Sequence, residues 1–139
     1  MQRILAAVDD SEASRRAVRL AADFAERLQA KLTLVHVIPP PPYSPDESGL
    51  DYQRIAQAQE QSAERLLFDA EQSLAGRKIA LDHRLLWGHP GTAIAEAATE
   101  PDVDLVVTGS RGRGAVAALL GSTSSRLVHL SPKPVLVVR

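Results

Sequence analysis

The sequence predicts a doubly wound α/β sandwich around a parallel sheet, and three observations carry that expectation. Apolar, β-branched runs of strand length alternate with segments of helical apolar spacing along the whole chain. Those runs are nearly continuous in hydrophobicity, as strands covered on both faces are. Strand, helix and strand also follow one another at the length of a right-handed parallel crossover. With 139 residues the chain suits one domain, 1–139, large enough to bury a core.

Taken in order, residues 3–8 form an apolar strand that stops at Asp9, Asp10 and Ser11. Asp10 or Ser11 is suited to cap the next helix by accepting from its free N–H groups. Ala17, Leu20, Ala21, Phe24, Ala25 and Leu28 then recur at helical spacing and give one apolar face. Residues 32–38 make a second strand. Four consecutive prolines, followed by Tyr43, Ser44, Pro45 and Asp46, predict an extended, mobile surface connector over 39–49. A long helix over 51–74 turns Ile55, Ala58, Leu66, Leu67, Ala70 and Leu74 to the core, and Gly76 stops it. The third strand spans 79–87. Thr92 is expected to cap a short helix through Ile94, Ala95 and Ala98. A fourth strand, 103–108, ends at Gly109, and a fourth helix opens at Gly121 and Ser122. Pro132 and Pro134 bracket its exit into the last strand, 135–138.

Composition excludes several function classes. A net charge of −1 argues against a general binder of nucleic acid or membrane surfaces. An aromatic content of 4% leaves no stacking platform for single strands. Without cysteine there is no disulfide, thiol catalysis or redox switch. No signal peptide or membrane-length apolar run is legible, so a cytoplasmic setting is expected. His36, His83, His89 and His129 share no metal-ligand spacing. Ser110 lies in Gly-Ser-Arg-Gly, which lacks the spacing of a hydrolase nucleophile elbow. Catalysis therefore has little support.

The chemistry-bearing stretch is 103–138. A strand, a loop with Gly109, Gly112 and Gly114, and a hydroxyl-rich helix start together make an anion cradle. After Asp104 no acidic residue follows, whereas Arg111, Arg113, Arg126, Lys133 and Arg139 do. Gly109 and Gly114 have Walker A spacing, but Ala115 and Val116 stand where its lysine and hydroxyl belong. Gly112, Gly114 and Ala117 fit a dinucleotide fingerprint, yet no acidic residue follows to hold a ribose.

The same stretch resembles the C-terminal motif of the universal stress protein family, with Gly109, Gly112, Gly121 and Ser122 at the matching positions. The opening ILAAVDDSEASRRA, the LVHVI segment and the closing PVLVVR resemble that family too. The resemblance implies a strand order of 3-2-1-4-5, which would bring Asp9 and the Gly109 loop to one crevice at the topological switch point. It implies an adenine nucleotide, ATP in the first place. Ala7, Val8 and Val37 would meet the base, and Thr108 and Gly109 the sugar. Gly112, Gly121, Ser122, Thr123 and Ser124 would hold the phosphates. Asp9 would meet a ribose hydroxyl or a magnesium ion. It further implies a homodimer through strand 135–138. Eight residues separate Gly112 from Gly121, one fewer than in the family's nucleotide-binding pattern, and Ala7 and Val8 replace a Pro-Thr pair found in some nucleotide-binding members. The alternative is a dimer of the same fold that binds no nucleotide and acts through protein contacts. A small-molecule enzyme on this scaffold is a weaker third reading.

Overall fold

The computed structural model describes residues 1–40, 49–110 and 120–139. Five strands, β1 (Arg3–Ala7), β2 (Lys31–Ile38), β3 (Leu81–Trp87), β4 (Val103–Gly109) and β5 (Val135–Val138), alternate with four helices. The helices are α1 (Glu12–Leu28), α2 (Gly49–Gln72), α3 (Pro90–Ala97) and α4 (Ser122–Leu130). The strands form one sheet in the order β3-β2-β1-β4-β5, every pairing parallel. The expected doubly wound architecture and strand order are therefore present. Residues 41–48 of the proline-rich connector lie outside the described residues.

Period-two alternation along the strands divides the core into two layers. Ile4, Ala6, Leu32, Leu34 and Val107 pack under α1 and α2. Leu5, Val35, Val37, Val103 and Val106 pack under α3 and α4, with Ile94 and Leu127. The seam of α1 is made of small residues, Ala13, Ser14, Ala17, Val18, Ala21, Ala22 and Ala25. That stripe is rotated from the expected face: Leu28 is 48% exposed, while Ala22 is fully buried. Small side chains let a helix backbone lie close to the sheet, and the helix turns to present them.

Ser11 caps α1, its hydroxyl accepting from the Ser14 N–H at 3.1 Å. The helix ends on Gln29, in the left-handed region at φ 53°, with its N–H donating to the Ala25 carbonyl. Thr92 does not cap α3. His89 is the N-cap and Pro90 opens the helix, because a proline at the first helical position surrenders no hydrogen bond. Gly91 in the first turn of α3 faces Arg126 of α4, and a Cβ there would lie 2.8 Å from Arg126 Cβ. The absent side chain lets the two helices touch.

Helix α2 departs most from expectation. Ala63, Leu67 and Leu74 are buried, with Leu66 and Ala70 against the core, but Ile55 is 39% exposed and Ala58 also faces solvent. Only the C-terminal half of α2 is seated on the sheet. Gly76 follows at φ +86° and reverses the chain, as its freedom from a Cβ allows.

Charged groups brace the sheet away from the strands' C-terminal ends. Arg3 of β1 pairs with Glu100 at 3.0 Å and Asp102 at 2.8 Å, and Arg84 of β3 closes on the same Glu100. The Arg84 guanidinium holds the Glu100 carboxyl below its usual range. On the other face, His83 of β3 bonds Glu71 of α2 through Nδ1, and its Nε2 lies 3.8 Å from Glu64. The hydrogen bond to Glu71 raises the His83 pKa, against a smaller opposing effect of burial. A histidine raised in this way contributes stability that is fully present below its unfolded value of about 6.5 and is lost as pH rises through the higher folded value. His83→Gln should therefore lower the melting temperature most below about pH 6.5, with the gap to the wild type closing as pH rises through the higher folded value. Thermal melts across that range check this.

Candidate functional site

The parallel order places the C-terminal ends of β1 and β4 side by side, with Ala6 of β1 opposite Val107 of β4. Such adjacent strands, whose connections leave to opposite faces, open a crevice at their ends. The chain leaves β1 through a turn built by side chains. Asp9 Oδ1 accepts from the Ser11 N–H at 2.7 Å, and the Asp9 N–H donates to Ser14 Oγ at 2.9 Å. The Ser14 hydroxyl in turn donates to the Ala7 carbonyl at 3.3 Å. One carboxylate oxygen of Asp9 thus fixes the turn, and Oδ2 has no hydrogen-bond partner among the described residues.

Gly109 closes β4 directly against the first turn of α1. A Cβ at this position would lie 2.8 Å from both Ala13 C and Ser14 N, and backbone atoms cannot yield. Glycine is therefore needed for packing here, whatever else the position does. Next to it, Ser110 ties three elements together. Its N–H donates to the Val138 carbonyl at 2.6 Å, and its carbonyl accepts from the Gly121 N–H at 2.7 Å and the Ser124 hydroxyl at 3.0 Å. The segment between Ser110 and Gly121 thus leaves and returns at one point. Gly112, with Arg111 and Arg113, falls within it and lies outside the described residues.

Helix α4 starts from Gly121 with no side-chain cap and no acidic residue in its first turn. The first N–H groups of such a helix lack intrahelical partners and carry a partial positive charge. Ser122 is exposed and Thr123 half-buried. Ser124 is different: it is 2% exposed, and its hydroxyl lies 3.0 Å from the carbonyls of both Ser110 and Gly121. Its side chain braces the return of the loop.

The remaining sequence-selected residues divide between the two faces. Ala7 and Val37 belong to the α3–α4 face, and Thr108 shares it by alternation from Val106. Val8 lies under α1 and α2, 6% exposed. Its N–H donates to the Val35 carbonyl at 2.8 Å, and its carbonyl meets His36 Nδ1 at 2.6 Å, so its polar groups are also occupied. Sequence reasoning missed Ser14 and the bracing role of Ser110. The signal for Ser14 was a hydroxyl three positions after the Ser11 cap, facing a strand end.

This is a doubly wound α/β domain whose fourth helix starts, without a side-chain cap, beside the end of β4. The family model described as universal stress protein matches residues 1–139. A universal stress protein of Thermus aquaticus is 38% identical over 142 residues, covering 98% of this chain and 97% of its own. Universal stress protein UspA from Lactobacillus plantarum superposes with a TM-score of 0.90 at 28% identity, over 99% of this chain and 97% of that one. A universal stress protein solved in complex with cAMP superposes with a TM-score of 0.74, also at 28% identity, over 99% and 97% of the two chains. The chain belongs to the universal stress protein family. It spans about half the length of some curated relatives, 47% of a Mycobacterium tuberculosis member.

Gly109→Ala should destabilise the domain by about 1–3 kcal/mol through overpacking against α1, without any ligand being present. Urea unfolding of the protein freed of small molecules measures this. Unchanged stability would mean that the strand end and the helix are not in contact.

Proposed function

We propose that this chain binds ATP or a related adenine nucleotide across the ends of β1 and β4 and serves as a regulatory module. The observation that carries this reading is the α4 N-terminus, which has no side-chain cap and no acidic residue in its first turn and stands beside the end of β4. Unpaired N–H groups at a helix start are a natural phosphate site. The relative solved with cAMP, at 28% identity, supports an adenine ligand.

In this proposal Gly121, Ser122 and Thr123 take phosphate oxygens together with Gly112. Ala7, Val37 and Thr108 form the base and sugar side on the α3–α4 face. Asp9 offers Oδ2 to a ribose hydroxyl or to a magnesium ion carried on the phosphates. Among the described residues there is no group of three His, Cys, Asp or Glu side chains able to hold a metal alone, so phosphate would supply most of the ligation. Val8, Gly109 and Ser124 contribute by shape and bracing. A reducing, cytoplasmic setting fits a cysteine-free domain. Among the described residues no helix is long and apolar enough to cross a membrane.

Calorimetry with ATP and magnesium tests the reading, with a micromolar dissociation constant expected. Gly121→Val should abolish binding by placing a side chain where phosphate approaches. Ser122→Ala should weaken it by about 0.5–1.5 kcal/mol, the net worth of one hydrogen bond. The absence of heat and of any thermal shift at millimolar nucleotide would favour the second reading, a nucleotide-free dimer acting through protein contacts. The spacing of eight residues between Gly112 and Gly121 is the observation on its side.

Either reading includes a homodimer through β5. That strand is at the edge of the sheet, and Val128 and Leu130 of the preceding helix are 48% and 49% exposed. An unpaired edge beside apolar surface favours pairing with a second chain. Val137→Lys should shift the protein towards monomer, more cleanly than Leu136→Lys, because Leu136 packs against the α1–α2 core. Sedimentation across the micromolar range reads the result, and a monomeric wild type would refute the dimer.

A further inference from the structure

Glu64 stands where the seating of α2 on the sheet begins. Ile55 and Ala58, earlier in the helix, are exposed, whereas Ala63 and Leu67, flanking Glu64, are buried. Glu71 lies seven residues on, about two turns along the same face of the helix. His83 of β3 reaches between the two carboxylates: Nδ1 bonds Glu71, and Nε2 lies 3.8 Å from Glu64. One imidazole of the sheet thus holds two turns of the helix.

The two contacts need different things from the ring. A neutral imidazole carries one N–H, and the Glu71 carboxylate, an acceptor only, keeps it on Nδ1. Nε2 then presents a lone pair to the Glu64 carboxylate. Only the imidazolium is positive on both sides, so losing one proton turns attraction at Glu64 into repulsion and leaves the Glu71 bond in place. The other charged groups around the ring are engaged elsewhere. On β3, Asp82 and Arg84 project to the opposite face, where Lys31 lies 2.7 Å from Asp82 and Arg84 binds Glu100. On β2, His83 stands opposite Leu34, and His36 has its Nδ1 at 2.6 Å from the Val8 carbonyl.

We propose that His83 is a pH-operated latch on α2: its imidazolium clamps the helix at both Glu64 and Glu71, and loss of the Nε2 proton frees the Glu64 turn while the Glu71 turn stays docked. The unseated part of the helix then grows from the Ala58 turn towards Leu67, so α2 peels from its N-terminal side. The hydrogen bond to Glu71 raises the His83 pKa, burial opposes it, and the charges of Glu71, Glu64 and Asp82 raise it further. The latch is therefore closed in mild acid and opens as pH rises through that raised value. The side chains of His83 and Glu64 are 38% and 54% exposed, which keeps the effect to a few-fold change in population.

The test places one nitroxide spin label at a time on the full chain, which has no cysteine of its own. Gln61→Cys puts the label one turn before Glu64, and Gln72→Cys puts it just beyond Glu71; both positions are exposed. Between about pH 5.5 and about pH 8.5, either side of a histidine's range, the mobile fraction at position 61 should rise about two- to fivefold. The rise should follow the His83 ring titration, read by NMR on the unlabelled protein, and the label at position 72 should not change. Glu64→Gln and His83→Gln, each carrying the label at 61, should remove the pH dependence, and Glu64→Gln should also lower the midpoint of the His83 titration. The proposal is overturned by a label at 61 whose mobility does not change with pH, by a change that persists in either variant, or by an equal change at 72. A His83 midpoint indifferent to Glu64→Gln overturns it as well.

Discussion

The arrangement depends on the contact between the end of β4 and the first turn of α1. Gly109 has no Cβ, and Ala13 and Ser14 fill the space a side chain would take. Because the two backbones touch there, the turn after β1 and the loop after β4 are held side by side. Asp9, Ser14 and Ser110 all hang from that contact. A bulkier residue would push α1 outward and part the two turns from which the crevice is made. A similar contact recurs on the other face, where Gly91 admits the stem of Arg126 and joins α3 to α4. Close approach through a missing side chain is thus used on both layers.

Much of the fold was legible in the sequence because its signals are local. β-Branched runs marked the strands, and a serine, a proline and a glycine marked helix boundaries. The strand order came from resemblance, since nothing local records which strands pair. The rotation of α1 was not legible, because Leu20 and Leu28 look more hydrophobic than the alanines that in fact face the sheet. An alanine seam is favoured by proximity, which only the packed structure reveals. Nor did the pattern of α2 show that Ile55 and Ala58 would lie beyond the core. Helical periodicity gives the direction of a face but says nothing about how far along the helix the sheet extends.

At the site, the residue types were legible and their uses were not. Hydroxyls at 122–124 read alike in sequence, yet Ser124 turns inward to brace Ser110 while Ser122 is exposed. Helical geometry separates them: a residue three positions beyond the cap points back towards it. Asp9 fits both readings of a carboxylate at a strand end, since one oxygen closes the turn and the other stands apart. The two ends of the sheet also differ in character. Arg3 and Arg84 form ion pairs with Glu100 and Asp102 away from the crevice. The crevice end instead carries the start of α4, which has no side-chain cap from Gly121 and no acidic residue in its first turn.

The bond from the Ser110 N–H to the Val138 carbonyl joins the hinge of the glycine loop to the last residue of the edge strand. Strand β5 is therefore a tether as well as a border. A slide of that strand along its axis would drag on the Ser110 peptide, and a displacement of that peptide would pull back on the strand. Whatever grips the rim of the sheet has a short mechanical lever on Ser110 and, through its carbonyl, on the start of α4.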